Sequence, residues 1–334
     1  MKKLFIAIAA LAAMTSCSQD EVMEVAQKEA IAFNNGFINN ATRAIDPSVT
    51  NTTVSQFNVW GTVTAEGGTA TTAIFENTNV TGTAGIGNIW DTEVTQYWIA
   101  GAKYNFAGLI NAGENVETGS DDLPSKVTFT QNYENETDLL YARSKENIVG
   151  KATGNSAVPM TFDHMLSKVG FKITNNNAAS SGYTYKVTDI KITSALATTG
   201  TATITSTSSA NSFAWASQSG SYANLGFGAA VAQNATAEAN AAEIAETATM
   251  YSNNEHLLIP NTYSNFKVQF TLETIVNGTT IKTDEVIERT AATVTFAAKT
   301  YYMINIGLAV GQPIQFTVTS TETWSSADNS YTVQ

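Results

Sequence analysis

The sequence predicts an all-β chain of two antiparallel β-sandwiches in tandem, and three observations predict it. Apolar and polar residues alternate over short segments, clusters of Gly, Asn and Asp separate those segments, and one glycine-rich stretch without periodicity, Asn147 to Ala157 (NIVGKATGNSA), interrupts them. Period two marks a strand with one buried face, and short strands between turn clusters are the material of sandwiches. A chain of 334 residues also suggests about two domains, each able to bury a core.

The elements follow in order. Before the glycine-rich stretch the strand-like segments are IAFNNGFI (31–38), QFNVWGTV (56–63), TQYWIA (95–100), KYNFAGLI (103–110), KVTFTQ (126–131) and DLLYA (138–142). After it come LSKVGFKIT (166–174), YTYKVTDIKIT (183–193), TATITS (201–206), HLLIP (256–260), FKVQFTLETI (266–275), TIKTDEVIE (280–288), TYYMINIGLAV (300–310) and IQFTVT (314–319). Phe57 and Val59 alternate with Asn58 and Trp60, and Val268, Phe270 and Leu272 with Gln269, Thr271 and Glu273. The expected first core therefore holds Phe57, Val59, Tyr104 and Phe106, and the second Val169, Phe171, Val268, Phe270 and Ile304. Two stretches read as other than strand. Ser194–Ser221 is Ser/Thr/Ala-rich, and Ala229–Thr249 is Ala/Glu-rich, a loop or a short peripheral helix with a thin apolar face. The expected division is a leader over 1–16, a segment carrying the first strand over 17–43, one domain over 44–150 and another over 158–334.

The N-terminus reads as a targeting segment. Lys2 and Lys3 precede an apolar run, Leu4 to Met14, that is too short to span a bilayer and suits a signal-peptide core. Met14-Thr15-Ser16-Cys17 resembles the lipobox of bacterial lipoproteins, with Met14 where leucine is preferred. Cys17 is the lipidation candidate and the chain's one cysteine, so no thiol remains for a disulfide, a nucleophile or a metal site. Ser18-Gln19-Asp20-Glu21 resembles the export signal of surface-exposed lipoproteins. The expected location is the cell surface, by way of an outer-membrane lipoprotein precursor with a lipid anchor. After the leader no apolar run is long enough to span a membrane.

Composition narrows the function. The net charge is −12, from 17 Lys+Arg against 29 Asp+Glu. With no basic run, phosphate binding and hence nucleic acid are not expected. No cofactor, metal site or catalytic constellation is expected either. His164 and His256 are far apart and lack a partner at metal-ligand spacing. Glu114, Glu117, Asp121 and Asp122 lack the spacing of a calcium loop, and Gly82–Gly87 (GTAGIG) lacks the Lys-Ser/Thr of a phosphate loop. Trp60, Trp90, Trp98, Trp215 and Trp324 keep sugar stacking open, although aromatics within strands are more often core.

Several words of the sequence carry a resemblance. Phe57-Asn58-Val59-Trp60-Gly61, Tyr104-Asn105-Phe106-Ala107, Asp138-Leu139-Leu140-Tyr141-Ala142 and, most specifically, Met160 to Val169 (MTFDHMLSKV) resemble the fimbrillin family of pilus subunits in content, order and spacing. The resemblance covers nearly the whole chain. It implies two transthyretin-like sandwiches and a lipoprotein precursor whose first-strand segment is a propeptide. A trypsin-like protease would cut after an arginine, here between Arg43 and Ala44, and subunits would polymerise by strand exchange in the service of adhesion. The partners implied are other copies of the chain or related pilus subunits. Arg43 is one of three arginines in the chain and lies in FINNATRAID, which reads as an exposed connection. The displaced strand would carry Ile31, Phe33 and Phe37, with Asn35 interrupting the row. The donor strand would carry Ile314, Phe316 and Val318, with Tyr331 and Val333 a shorter alternation behind it. The alternative from a different class is a monomeric surface lipoprotein that binds a glycan or a host protein.

Overall fold

A computed structural model describes residues 28–38, 56–82, 89–207, 210–232 and 239–323, with residues 35–38 and 321–323 described for their backbone. Every regular element among these residues is a β-strand.

The first half is a ring. Strands Gln56–Thr64, Thr71–Thr81, Ile89–Thr92, Phe33–Ile38, Val158–His164, Leu140–Arg143 and Lys103–Ile110 hydrogen-bond in that order, and Lys103–Ile110 pairs back onto Gln56–Thr64. Closure removes the sheet edges that would otherwise invite other chains. Phe57, Val59, Tyr104 and Phe106 all point into the ring, as alternation requires, beside Ile31, Phe33, Phe75, Val80 and Trp90. Gly61 is forced by this filling: a Cβ there would lie 2.7 Å from the Phe106 ring and 2.8 Å from that of Phe75.

The ring extends past the stretch expected to divide the halves. Ile148–Val149 pairs with Lys103–Ile110, and Val158–His164 pairs with both Leu140–Arg143 and Phe33–Ile38. Val158, Met160 and Phe162 lie in the ring's core. The chain therefore leaves the ring for the sheets of the second half at Met165–Leu166, not over 147–157.

That crossing explains the MTFDHMLSKV segment. Asp163 accepts from Asn211 Nδ2 at 2.8 Å and pairs with Lys299 at 3.2 Å. His164 Nδ1 lies 2.6 Å from Asp138 Oδ2, and the Met165 carbonyl accepts from Trp215 Nε1 at 2.8 Å. Ser167 Oγ donates to the Ala297 carbonyl at 2.8 Å. Lys168, buried, forms an ion pair with buried Glu255, which also accepts from Tyr301 Oη. Asp163, His164, Ser167 and Lys168 are thus each tied to a residue distant in sequence, while Thr161 is exposed.

The second half is a sandwich. One sheet runs Ala230–Val231, Thr249–Ser252, Ser167–Asn175, Thr300–Leu308, Gln315–Thr323, with His256–Leu258 also on Ser167–Asn175. The other runs Leu225–Gly228, Tyr183–Ile192, Asn261–Val276, Thr279–Phe296. Asn277 and Gly278, with φ of 48° and 75°, make the tight turn of the long hairpin between the last two. Val169, Phe171, Val268, Phe270 and Ile304 fill the core between the sheets, as expected.

A third feature joins the halves. Strands Val116–Thr118 and Pro124–Thr130 from the first half form one four-stranded sheet with Thr199–Ser206 and Asn211–Ser219 from the second. Trp60, Leu109, Tyr141, Ala202, Ile204 and Met303 share the core beneath it. The expectation that Ser194–Ser221 is not strand is thereby corrected. Its threonines are β-branched and alternate with Ala202 and Ile204, which gives a strand whose apolar face is light but real. Ala229–Thr249 forms no helix in its described part; Ala230–Val231 is a short strand and Ile244 bridges Tyr185. TQYWIA contributes only an isolated bridge, Tyr97 to Ala30, with Trp98 buried beside it.

Candidate functional site

The candidate site is a strand and the seat that holds it. Phe33–Ile38 lies between two neighbours, antiparallel to Ile89–Thr92 (Phe33↔Trp90, Asn34↔Ile89) and parallel to Val158–His164 (Phe33↔Val158, Asn34↔Pro159, Asn35↔Met160). The register shifts beyond Asn35, which matches the break in the apolar row. Phe33 has no exposed surface, and its ring lies 5.9 Å from that of Phe57, 6.0 Å from Phe75 and 5.4 Å from Phe106, each approached edge to face. Such contacts add to area burial and define an aromatic seat. Ile31 is buried one step earlier, its N–H donating to the Gln96 carbonyl at 2.8 Å. The side chain of Phe37 lies outside the described residues.

A carboxylate fastens the start of this strand. Glu29 accepts from the Gly154 N–H at 2.6 Å, the Asn155 N–H at 2.7 Å and Asn155 Nδ2 at 2.6 Å. The Asn155 N–H, then the Gly154 N–H and the Asn155 amide, hold its carboxyl below the usual range, with Lys151 adding a small attraction. Nothing in the period-two pattern marks Glu29, because a charged residue ahead of a strand reads as solvated loop.

The last strand is held differently. Among the described residues Gln315–Thr323 pairs on one side only, antiparallel to Thr300–Leu308 (Ile304↔Val318, Ile306↔Phe316), and forms an edge. Ile314, Phe316 and Val318 are half-buried against the second core, whereas Gln315, Thr317 and Thr319 are exposed. The alternation expected from the sequence is present. Cys17, Arg43, Ala44, Trp324, Tyr331 and Val333 lie outside the described residues.

Of the residues considered for chemistry, both histidines and Asp121 have polar partners within the fold, and three tryptophans are buried. His256 Nδ1 lies 2.7 Å from Glu136 Oε1 and its Nε2 2.8 Å from the Gly226 carbonyl. Burial opposes its charge most, but the Glu136 carboxylate, the Gly226 carbonyl and Glu255 together hold the imidazole above its usual value. Asp121 accepts from the Leu123 N–H at 3.3 Å and faces Arg143 at 3.4 Å. Trp60, Trp90 and Trp98 are buried and Trp215 is half-buried. No cluster of three or more His, Cys, Asp or Glu able to hold a metal occurs among the described residues.

The comparisons with known proteins bear on this arrangement. A family defined as fimbrillin-like matches residues 42–324. The chain belongs to the fimbrillin-like family. No curated protein matches it. Among solved structures, this fimbrillin-like chain is similar to a fimbrial protein from Bacteroides vulgatus at 12% identity and a TM-score of 0.57, over 89% of this chain and 99% of that one. A fimbrial assembly protein from Parabacteroides distasonis matches at 12% identity and a TM-score of 0.44, over 88% of this chain and 100% of that one. The first of these shows a shared all-β fold. Nine strands among the described residues were not legible as strands in the sequence, Thr71–Thr81 above all. Its apolar residues Ile74, Phe75 and Val80 do not alternate, because the pairing with Gln56–Thr64 shifts twice and Asn77 takes a φ of 50°.

Proposed function

We propose that this chain is a structural pilus subunit at the cell surface, and neither an enzyme nor a monomeric receptor. It is exported through its leader, acylated on Cys17 as an outer-membrane lipoprotein precursor, and cut between Arg43 and Ala44 by a trypsin-like protease. The first strand then leaves, and the last strand of another subunit takes its seat through Ile314, Phe316 and Val318. The observation that carries this reading is the position of Phe33–Ile38, which completes a closed ring yet lies on the N-terminal side of Arg43. A cut there makes a structural member of the core a separate peptide.

Strand addition uses main-chain hydrogen bonds for affinity and alternate side chains for register. Burying an apolar side chain contributes about 1.5–3 kcal/mol, while ordering each backbone residue costs about 1–2 kcal/mol. Three side chains therefore do not offset the ordering of a whole strand, and the ladder hydrogen bonds must contribute. The uncut precursor stays monomeric because its own strand occupies the seat. Arg43→Ala, followed beside wild type through trypsin-like processing and electron microscopy, is the test. The variant should stay monomeric, and deletion of 313–334 should also abolish polymers; a variant that polymerises as readily as wild type contradicts the proposal. Cys17→Ala should keep the precursor off the outer surface and remove fatty-acid labelling.

A further inference from the structure

This inference rests on the strand-exchange reading above and concerns what refills the seat, and in which direction. The first strand region begins Ile31-Ala32-Phe33, and the last strand region begins Ile314-Gln315-Phe316. In both, the isoleucine and phenylalanine share a face turned to apolar core. Ile31 is 2% and Phe33 0% exposed, while Ile314 and Phe316 are only half-buried on their own sandwich and Gln315 between them is exposed. Two residues on, the resident strand has Asn35, and the last strand has Val318 on the same face as Phe316.

We infer that a second copy of this chain inserts its last strand in the direction of the departed one, parallel to Val158–His164, with Phe316 in the seat of Phe33, Ile314 in that of Ile31 and Val318 at the place of Asn35. The phenylalanine fixes the register. The seat is walled by Phe57, Phe75 and Phe106 at 5.4–6.0 Å between ring centres, so an aliphatic side chain there leaves a cavity. A slip of one residue turns the apolar face outward, and a slip of two puts Ile314 or Val318 among the rings. The isoleucine fixes the direction, because a reversed strand with Phe316 seated brings the smaller Val318 to the site of Ile31. Side chains half-buried at an open edge become enclosed, which favours the incoming strand. A valine replacing an asparagine extends the apolar row beyond what the resident strand offers.

Engineered cysteines read the register. Asn34 pairs with Pro159 on one side and Ile89 on the other, so the inferred register brings Thr317 of the incoming copy to both. Reversal with Phe316 seated brings Gln315 there instead. The mature chain carries no other cysteine once its leader segment is cut away. Thr317→Cys with Pro159→Cys, and separately Thr317→Cys with Ile89→Cys, should give a ladder of disulfide-linked copies after cleavage at Arg43. The ladder should collapse with reductant and be absent before cleavage. Gln315→Cys with Pro159→Cys should give at least tenfold less. The second pair guards against misfolding caused by changing Pro159. Polymers whose cross-links form through Gln315, or through neither pair, overturn this register and leave strand exchange standing. A disulfide confined to single copies overturns the second copy as occupant. Polymers that persist without residues 313–334 overturn the exchange reading itself.

Discussion

The first and last strand regions share an isoleucine and a phenylalanine two residues apart at their starts, and stand in opposite situations. Phe33–Ile38 is enclosed by a neighbour on each side and seats Phe33 among three aromatic rings. Gln315–Thr323 has one neighbour among the described residues, and its matching phenylalanine is half-buried. Local sequence therefore does not decide which strand is the firmer; the number of neighbours does. An interior strand leaves only if the ring is opened, whereas an edge strand can peel away one ladder at a time. On the assembly proposed above, the enclosed strand is the one that needs a covalent cut before it can go, and the edge strand is the donor.

The largest expected difference is between two identical substitutions. Phe33→Ala should cost the uncut protein about 3–5 kcal/mol, as for a fully buried phenylalanine. Phe316→Ala should cost less than about half of that. Denaturant midpoints of the uncut variants measure both, and equal losses would break the comparison. Crowding the seat is the next lever. Gly61→Ala should cost about 1–3 kcal/mol through overpacking against Phe75 and Phe106. It should also loosen Phe33–Ile38 while leaving Gln315–Thr323 unaffected, which exchange rates of the two segments can report.

The smallest effect belongs to Glu29. Its carboxyl is held below the usual range by Asn155 and Gly154. Its contribution is therefore present above the ordinary carboxylate value and is lost as pH falls through the lowered one. Residues 29–34 of wild type should accordingly lose protection on acidification. Glu29→Gln should lower that protection at neutral pH and flatten its pH dependence. Amide exchange across pH checks this, and an unchanged profile in the variant would exclude the carboxylate as a fastening.

Much of the fold was legible because burial acts through a local period. Phe57, Val59, Tyr104 and Phe106 announce the ring core, and Val169, Phe171, Val268, Phe270 and Ile304 the sandwich core. Pairing was not legible, because a strand carries no local label for its partner. Pro124–Thr130 and Thr199–Ser206 meet across the halves, and Val158–His164 joins the ring it follows by lying parallel to the first strand. The same limit hid the seat. Ile31 and Phe33 could be read as buried, but Phe75 and Trp90 around them lie in strands whose bulges or brevity erase alternation. The polar fastening by Glu29 depends on a loop more than a hundred residues away, which no window of sequence reveals.

Amide exchange of the two strands, before and after cleavage at Arg43, tests the central claim most directly. In the uncut protein, Phe33–Ile38 should exchange more slowly than Gln315–Thr323. After cleavage and assembly the segment containing Phe33 should be absent from the polymer, and Gln315–Thr323 should become the more protected by at least tenfold. A polymer that retains the first strand, or in which Gln315–Thr323 exchanges as it did in the monomer, would contradict the account.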